Sequence, residues 1–217
     1  MTKADTISKR NRILNIAEEL FAQRGYDGVT LRQIASGANV DVALASYHFG
    51  KKLDLFNAVF ERRAELLNAS RLSALRLAQD NANKKGPSVE QVIEAFLRPL
   101  EIAQESGDEG WKNYLALIAY VNNSPHWGAL MMSKIFDELV NEFIAALRKA
   151  LPNAKHEDIY WCYHNLSGAL TLTLAQTGRI DKLSKGACRS SDFRAAYDVM
   201  IPFAAAGFRK VCKARKD

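Results

Sequence analysis

Apolar residues in this chain return every three or four positions, and runs alternating apolar with polar at strand length are hard to find. That period stacks them on one face of a helix, so the sequence predicts an all-α protein. The first helix lies in TISKRNRILNIAEELFAQRG, where Ile13, Ala17, Leu20 and Phe21 share a face. Thr6 or Ser8 is its expected cap and Gly25 its closing glycine. A turn, YDGV, leads to a short helix capped by Thr30, with Leu31, Ile34 and Ala35 inward and Gly37 at its end. After ANV, Asp41 caps a third helix that stops at Phe49 and Gly50.

A long fourth helix is expected over about residues 51–81, its apolar side marked by Leu55, Phe56, Val59, Phe60, Arg63, Leu66 and Leu67. NANKKGP is the clearest loop. SVEQ then reads as a capping box from Ser88 to Gln91, and Pro99 should kink or end the helix it opens. ESGDEG breaks the chain before an aromatic-rich helix over about residues 111–122. NNSP starts the next helix, with Asn123 or Ser124 as cap and Pro125 in the first position, and that helix extends to about Leu151. Long helices over about residues 156–177 and 191–213 follow, joined by RIDKLSKGACRS; Pro202 predicts a kink in the second.

With 217 residues, the chain can form one large domain or two small ones and bury a sizeable core. Its net charge of +6 is unevenly placed: up to Lys52 it holds eight Lys/Arg against five Asp/Glu. A basic N-terminal quarter permits an anionic partner. The other basic stretch, FRKVCKARKD, reads as a solvated helix end. Three widely spaced cysteines (Cys162, Cys188, Cys212) argue against a disulfide framework and for a reducing, cytoplasmic setting. No charged-then-apolar leader opens the chain, and no apolar run approaches the ~20 residues of a membrane span, so no membrane partner is expected. Four scattered histidines lack metal-ligand spacing, and no phosphate loop, GxSxG or HExxH occurs. The expectation is a protein that is not an enzyme and carries no cofactor or metal.

Three helices in about fifty residues, the last two joined by a short turn, have the size and spacing of a helix-turn-helix. Recognising duplex DNA needs cations and hydroxyls against phosphates, and side chains at base edges. Thr30 sits at a helix N-terminus, where backbone N–H groups favour a phosphate. Arg32 points off the buried face of the second helix. On the third helix, Val42, Ala43, Leu44 and Ser46 are placed to face the groove, the apolar ones reading thymine methyls and Ser46 either base type. Tyr47 and His48 at its end and Lys52 beyond it are placed for phosphates. Val40, Ala45 and Phe49 read as core. Tyr47 keeps the alternative of a packing residue alone, and His48 keeps two readings, a phosphate contact or a core or capping residue. Arg10 and Arg12 read as solvated charges.

The stretch AEELFAQRGYDGVTLRQIASGANVDVALASYHFGKKLDLFNAV resembles the DNA-binding domain of the tetracycline-repressor (TetR) family. Ala17, Leu20, Phe21, Gly25, Tyr26, Thr30, Ile34, Ala35, Ala38, Val40, Tyr47, His48, Phe49, Lys52 and Leu55 carry the likeness in order and spacing. Three departures stand out. Asn39 replaces a usual Gly, though Asn tolerates the left-handed conformation. Asp41 replaces a usual Ser cap, and both cap well. Val42, Ala43 and Leu44 are more apolar than the usual Lys/Arg-Gly-Thr. The resemblance implies a helix-turn-helix over residues 1–52 and a ligand-binding and dimerisation domain over 53–217, linked by the helix at about 51–81. It also implies a homodimer built by a four-helix bundle of the last two long helices, with recognition helices one or more DNA turns apart on a pseudo-palindromic operator.

An effector pocket would be mostly apolar with a few polar anchors. The candidate lining is Phe96, Trp111, Tyr114, Trp127, Phe136, Trp161 and Tyr163, with Arg98, Asn122, His126 and His164 as anchors; ordinary core is the alternative for each aromatic. WKNYLALIAYVNNSPHW looks like family members that sense fatty acids or their CoA thioesters. The expected function is a ligand-responsive regulator, a repressor released from double-stranded operator DNA by a small apolar or amphipathic effector. The alternative is a DNA-binding protein of the same fold controlled by a protein partner or by no ligand.

Overall fold

The structure, a computed structural model, describes residues 3–82, 86–125 and 127–213, with side chains from residue 8 onward. Among these residues it is all-α. Helix α1 (Lys3–Arg24) begins upstream of Thr6 and Ser8, so neither stands at its start. It buries Ile13, Leu14, Ala17 and Phe21. Gly25 ends it at φ +68° and donates its N–H to the Phe21 carbonyl at 2.9 Å. Only glycine suits this site, because a Cβ would lie 2.9 Å from the Tyr120 ring and the left-handed conformation disfavours side chains.

Helix α2 (Leu31–Gly37) opens with a capping box: Thr30 Oγ1 accepts from Gln33 N–H, and Gln33 Oε1 accepts from Thr30 N–H at 2.8 Å. Asn39 turns the chain in the left-handed region, at φ 51°. Helix α3 (Val42–Phe49) is capped by Asp41, whose Oδ1 accepts from Ala43 N–H at 2.7 Å. It buries Ala45 and Phe49 and ends at Gly50, φ +72°. Two short capped helices joined by one left-handed residue thus pack on α1 through α2 and α3.

Helix α4 (Lys52–Asp80) spans 29 residues and joins this N-terminal unit to the rest. Leu55, Phe56, Val59, Phe60, Ala64, Leu67, Arg71 and Leu75 form its buried stripe, whereas Leu66 is exposed. Helix α5 (Val89–Glu105) begins with the Ser88–Gln91 capping box and continues through Pro99. Helix α6 (Glu109–Asn122) is capped by Asp108. Helix α7 (Gly128–Ala150) starts later than the sequence implied: Pro125 lies in a turn, and Trp127 occupies the cap position. Helix α8 (His156–Leu174) stops short of Thr177, because the chain turns left-handed at Gln176 (φ 43°) and Gly178 (φ 68°). The connection beyond it holds a short helix, α9 (Arg179–Leu183). Helix α10 (Phe193–Val211), capped by Asp192, carries Pro202 inside it.

Helix α4 packs on α5 and α7, α1 on α4 and α6, and α10 on α5 and α8. The core is continuous along α4. Phe56 meets Phe21, Tyr26 and Trp127 edge-on, with ring centroids 4.9, 5.2 and 5.4 Å away. Phe60 then meets Tyr114 at 5.5 Å and Phe136 at 6.1 Å. Among the described residues no helix is long and apolar enough to cross a membrane, and no cluster of His, Cys, Asp and Glu is arranged to hold a metal ion.

Candidate nucleic-acid interface and internal cavity

The outer face of α3 is set by its inner one. Ala45 and Phe49 anchor it, so Val42, Ala43, Ser46 and Tyr47 project to solvent, Val42 at 37% exposure and Tyr47 at 82%. Leu44 is half-buried. His48 is also half-buried, and its Nε2 is enclosed without a hydrogen-bond partner. Thr30 and Arg32 are exposed at the start of α2. The Thr30 hydroxyl lies 3.0 Å from Gln33 Oε1, so it serves its own helix first.

Lys52 is more deeply engaged than a surface phosphate contact. Its Nζ donates to the carbonyls of Tyr26 and Val29, each at 3.0 Å, and sits 4.1 Å from the Tyr26 ring centroid. An ammonium carries three donors, and two of them hold the α1–α2 turn. Arg10, expected as a solvated charge, stacks over Phe49 at 5.0 Å.

A cavity of about 30 Å³ lies between α4, α5, α6, α7 and α8, roughly the room of one water. Phe96 and Asn122 line it, as do Phe136 and Tyr163. Asn122 Nδ2 donates across it to Thr171 Oγ1 at 2.6 Å. The other expected lining residues lie elsewhere. Arg98 is half-buried away from the cavity, in ion pairs with Glu94, Glu101 and Asp198. Trp111 packs beneath the Arg63 guanidinium, 4.9 Å away, and Trp127 against Tyr26, Phe56 and Tyr120. Tyr114 is fully buried beside Phe60 and Trp111. Trp161, 64% exposed, and His164 point outward, because Ile159, Cys162, Leu166 and Leu170 take the inner face of α8. His126 lies outside the described residues.

The residue that sequence reasoning missed is Arg71, 4% exposed on the cavity wall. Its Nε donates to the Phe96 carbonyl at 2.9 Å and its guanidinium lies 4.1 Å over the Phe96 ring. Burial lowers its pKa to about 10, an effect partly opposed by Tyr163, Tyr197 and Tyr114. The signal was available: Arg71 falls on the apolar stripe Ala64, Leu67, Leu75 at helical spacing, where an arginine is seldom left without purpose.

Helix α6 touches both regions. Ile118 and Asn122 border the cavity, while the Tyr120 hydroxyl accepts from the Tyr26 N–H at 3.1 Å. At its other end, Arg63 of α4 bridges Glu18 of α1 (2.9 Å) and the α6 cap Asp108 (2.8 Å). Gly110 leaves the space that Arg63 fills, for a Cβ there would collide with the guanidinium.

A helix-turn-helix with an exposed third helix, joined through one long helix to a helical body, has the build of a DNA-binding transcriptional regulator. Residues 13–59 match the model for bacterial regulatory proteins of the tetR family, and residues 94–207 match the tetracyclin repressor-like C-terminal domain. The chain belongs to the TetR family of transcriptional regulators. The HTH-type transcriptional activator FasR of Mycolicibacterium smegmatis is 34% identical over 82 residues, covering 38% of this chain and 37% of FasR. The biofilm operon negative transcriptional regulator IcaR of Staphylococcus aureus is 24% identical over 116 residues, 54% of this chain and 55% of IcaR. The chain thus spans about a third of the first relative and about half of the second. Among solved structures, a tetR family regulator from Shewanella sp. PV-4 shares the fold at TM-score 0.62 and 15% identity, covering 90% of this chain and 97% of its own. The fatty acid degradation regulator FadR from Bacillus halodurans does so at TM-score 0.59 and 14% identity, covering 89% and 94%.

Proposed function

We propose that this regulator binds a pseudo-palindromic operator as a homodimer, acts as a repressor, and is released by a small apolar or amphipathic effector, a fatty acid or acyl-CoA being the expected class. Residues 1–52 serve as the DNA-binding unit and residues 53–217 as the effector and dimerisation unit. The observation that carries the reading is the outer face of α3: Val42, Ala43, Ser46 and Tyr47 stand exposed on a helix anchored from behind, flanked by Thr30, Arg32 and Lys52. Leu44 and His48 border that face. So apolar a reading surface favours thymine methyls and DNA shape over charged base contacts. The protein would work in the cytoplasm, where its DNA is.

The dimer reading is supported by α8 and α10. Trp161 and Leu172 stand out from one face of α8, and Val199 and Phe203 from α10. Between the helices lies an apolar groove of about 410 Å³ lined by residues including Leu166, Ala169, Met200 and Ala204. Exposed apolar side chains beside an apolar groove are the kind of surface that association covers.

The cavity of about 30 Å³ favours a second reading, in which a protein partner or no ligand sets DNA binding. In the effector reading, a ligand must part α5, α7 and α8, and its influence is bounded by its differential affinity for the two arrangements. The deciding experiment is selection from a random duplex library, with sedimentation of the protein and of its complex with the winning sequence. An enriched inverted repeat bound by two chains supports the proposal. No enrichment over random duplex at physiological salt defeats it.

A further inference from the structure

Arg71 is a buried cation with no acidic partner among the described residues. The two buried acids among the described residues are held by other arginines: Glu18 by Arg62 and Arg63, Glu101 by Arg98 and Arg194. The recorded partners of Arg71 are a neutral carbonyl and an aromatic face, both from Phe96. An isolated cation in a packed interior is costly unless something anionic meets it. Two further donors are enclosed nearby. The hydroxyls of Tyr114 and Tyr197 are buried with no hydrogen-bond partner, and both tyrosines feel the charge of Arg71.

We propose that the cavity receives a free organic carboxylate with an apolar body, its carboxylate bound by the Arg71 guanidinium on the cavity wall. The proposal rests on the effector reading above and narrows it to the free acid rather than a thioester, ester or alcohol. A planar guanidinium matches a carboxylate with two parallel hydrogen bonds. A neutral headgroup leaves the charge uncompensated. The rest of the wall is apolar: Ile118, Phe136, Val140, Leu170 and Leu174. The present space suits a headgroup alone, so the body of the ligand enters by displacing Met132 and Phe136 of α7. Met132 is suited to this because an unbranched thioether repacks readily.

The test is calorimetric titration of the full chain with straight-chain carboxylates of about six to twelve carbons and with aryl carboxylates, beside their methyl esters and primary alcohols. Acids should bind at least tenfold more tightly than their neutral analogues. In Arg71→Met that preference should vanish, the variant being used only if its circular dichroism is native. Independently of any variant, a carboxyl-13C-labelled acid bound to the wild type should titrate below its value in water. Neutral analogues binding as well as acids, no acid binding at all, or an unshifted carboxyl titration would each overturn the proposal. Operator release measured on the same samples separates the two readings. Acids that bind without releasing DNA keep the site and defeat its effector role. Neutral molecules that release DNA keep an effector role and defeat the carboxylate site.

Discussion

The Tyr120 hydroxyl accepts a hydrogen bond from the Tyr26 backbone N–H, tying the helix that borders the cavity to the turn that opens the helix-turn-helix. Tyr120 also occupies the space that a side chain at Gly25 would need. Tyr120→Phe keeps the ring and removes the acceptor, leaving a part-buried N–H unpaired. The expected loss is about 1 kcal/mol of stability, read as a lower urea midpoint with an unchanged slope. Gly25→Ala combines left-handed strain with a clash against the ring, and should cost more, about 2–3 kcal/mol. Equal losses in the two variants would mean that the ring does not constrain the turn.

The second tie is ionic. Glu18, 2% exposed, meets Arg63 in a bidentate pair, with Arg62 also 2.8 Å away. Removing one member of a buried pair strands its partner, so Glu18→Ala should cost about 3–5 kcal/mol. The same arginine, Arg63, holds the Asp108 carboxyl below its usual range, helped by the Gly110 N–H. A depressed carboxyl contributes stability above its unfolded pKa of about 4 and loses it as pH falls through the lower folded value. Thermal melts from pH 6 to pH 2 should therefore fall less steeply below pH 4 in Asp108→Asn than in wild type. Asp108 is half exposed, which makes this a fraction of a kcal/mol after solvent screening. Parallel curves would remove Asp108 from the link.

At the DNA interface the two kinds of contact should separate. Lys52→Ala should weaken binding to every duplex alike and flatten the salt slope by about one unit. Because Nζ also bonds the Tyr26 and Val29 carbonyls, the same variant should melt lower than wild type. Ser46→Ala should leave stability and salt slope alone, and change preference at particular base positions by about 1–3 kcal/mol. A uniform loss from Ser46→Ala would remove α3 from the groove.

What the sequence made legible divides by range. Thr30, Asp41 and Ser88 were readable as caps because capping depends on neighbours two or three residues away, and Asn39 because its left-handed turn is local. The start of α7 was misplaced although Pro125 suits a first helical turn. There the burial of Trp127 against Tyr26 and Phe56 sets where the helix begins, and that contact is remote in sequence. The cavity was the least legible part. Trp161 and Trp111 are aromatic in the sequence whichever way they face, and only packing turned one outward and placed the other under Arg63. Arg71 was visible as a charge on an apolar stripe, but its meaning needed Glu18 and Glu101 to be placed with other arginines.

Cysteine reactivity offers a last check on how α8 and α10 sit. Cys162 and Cys212 are both buried, one on α8 and the other at the end of α10, while Cys188 is exposed in the connection. Burial pushes the Cys162 thiol up to about 12, and Cys212 upward as well. The thiolate is the reacting species, so a raised pKa and a closed environment both slow it. At pH 8 a chromogenic disulfide reagent should therefore titrate one thiol per native chain quickly. The other two should appear only on unfolding, at a rate set by denaturant rather than by reagent. Cys188→Ser should abolish the fast phase and leave the slow one intact. Three fast thiols in native protein would mean that α8 and α10 are not packed as described, and the dimer surface drawn across them would fall with that packing.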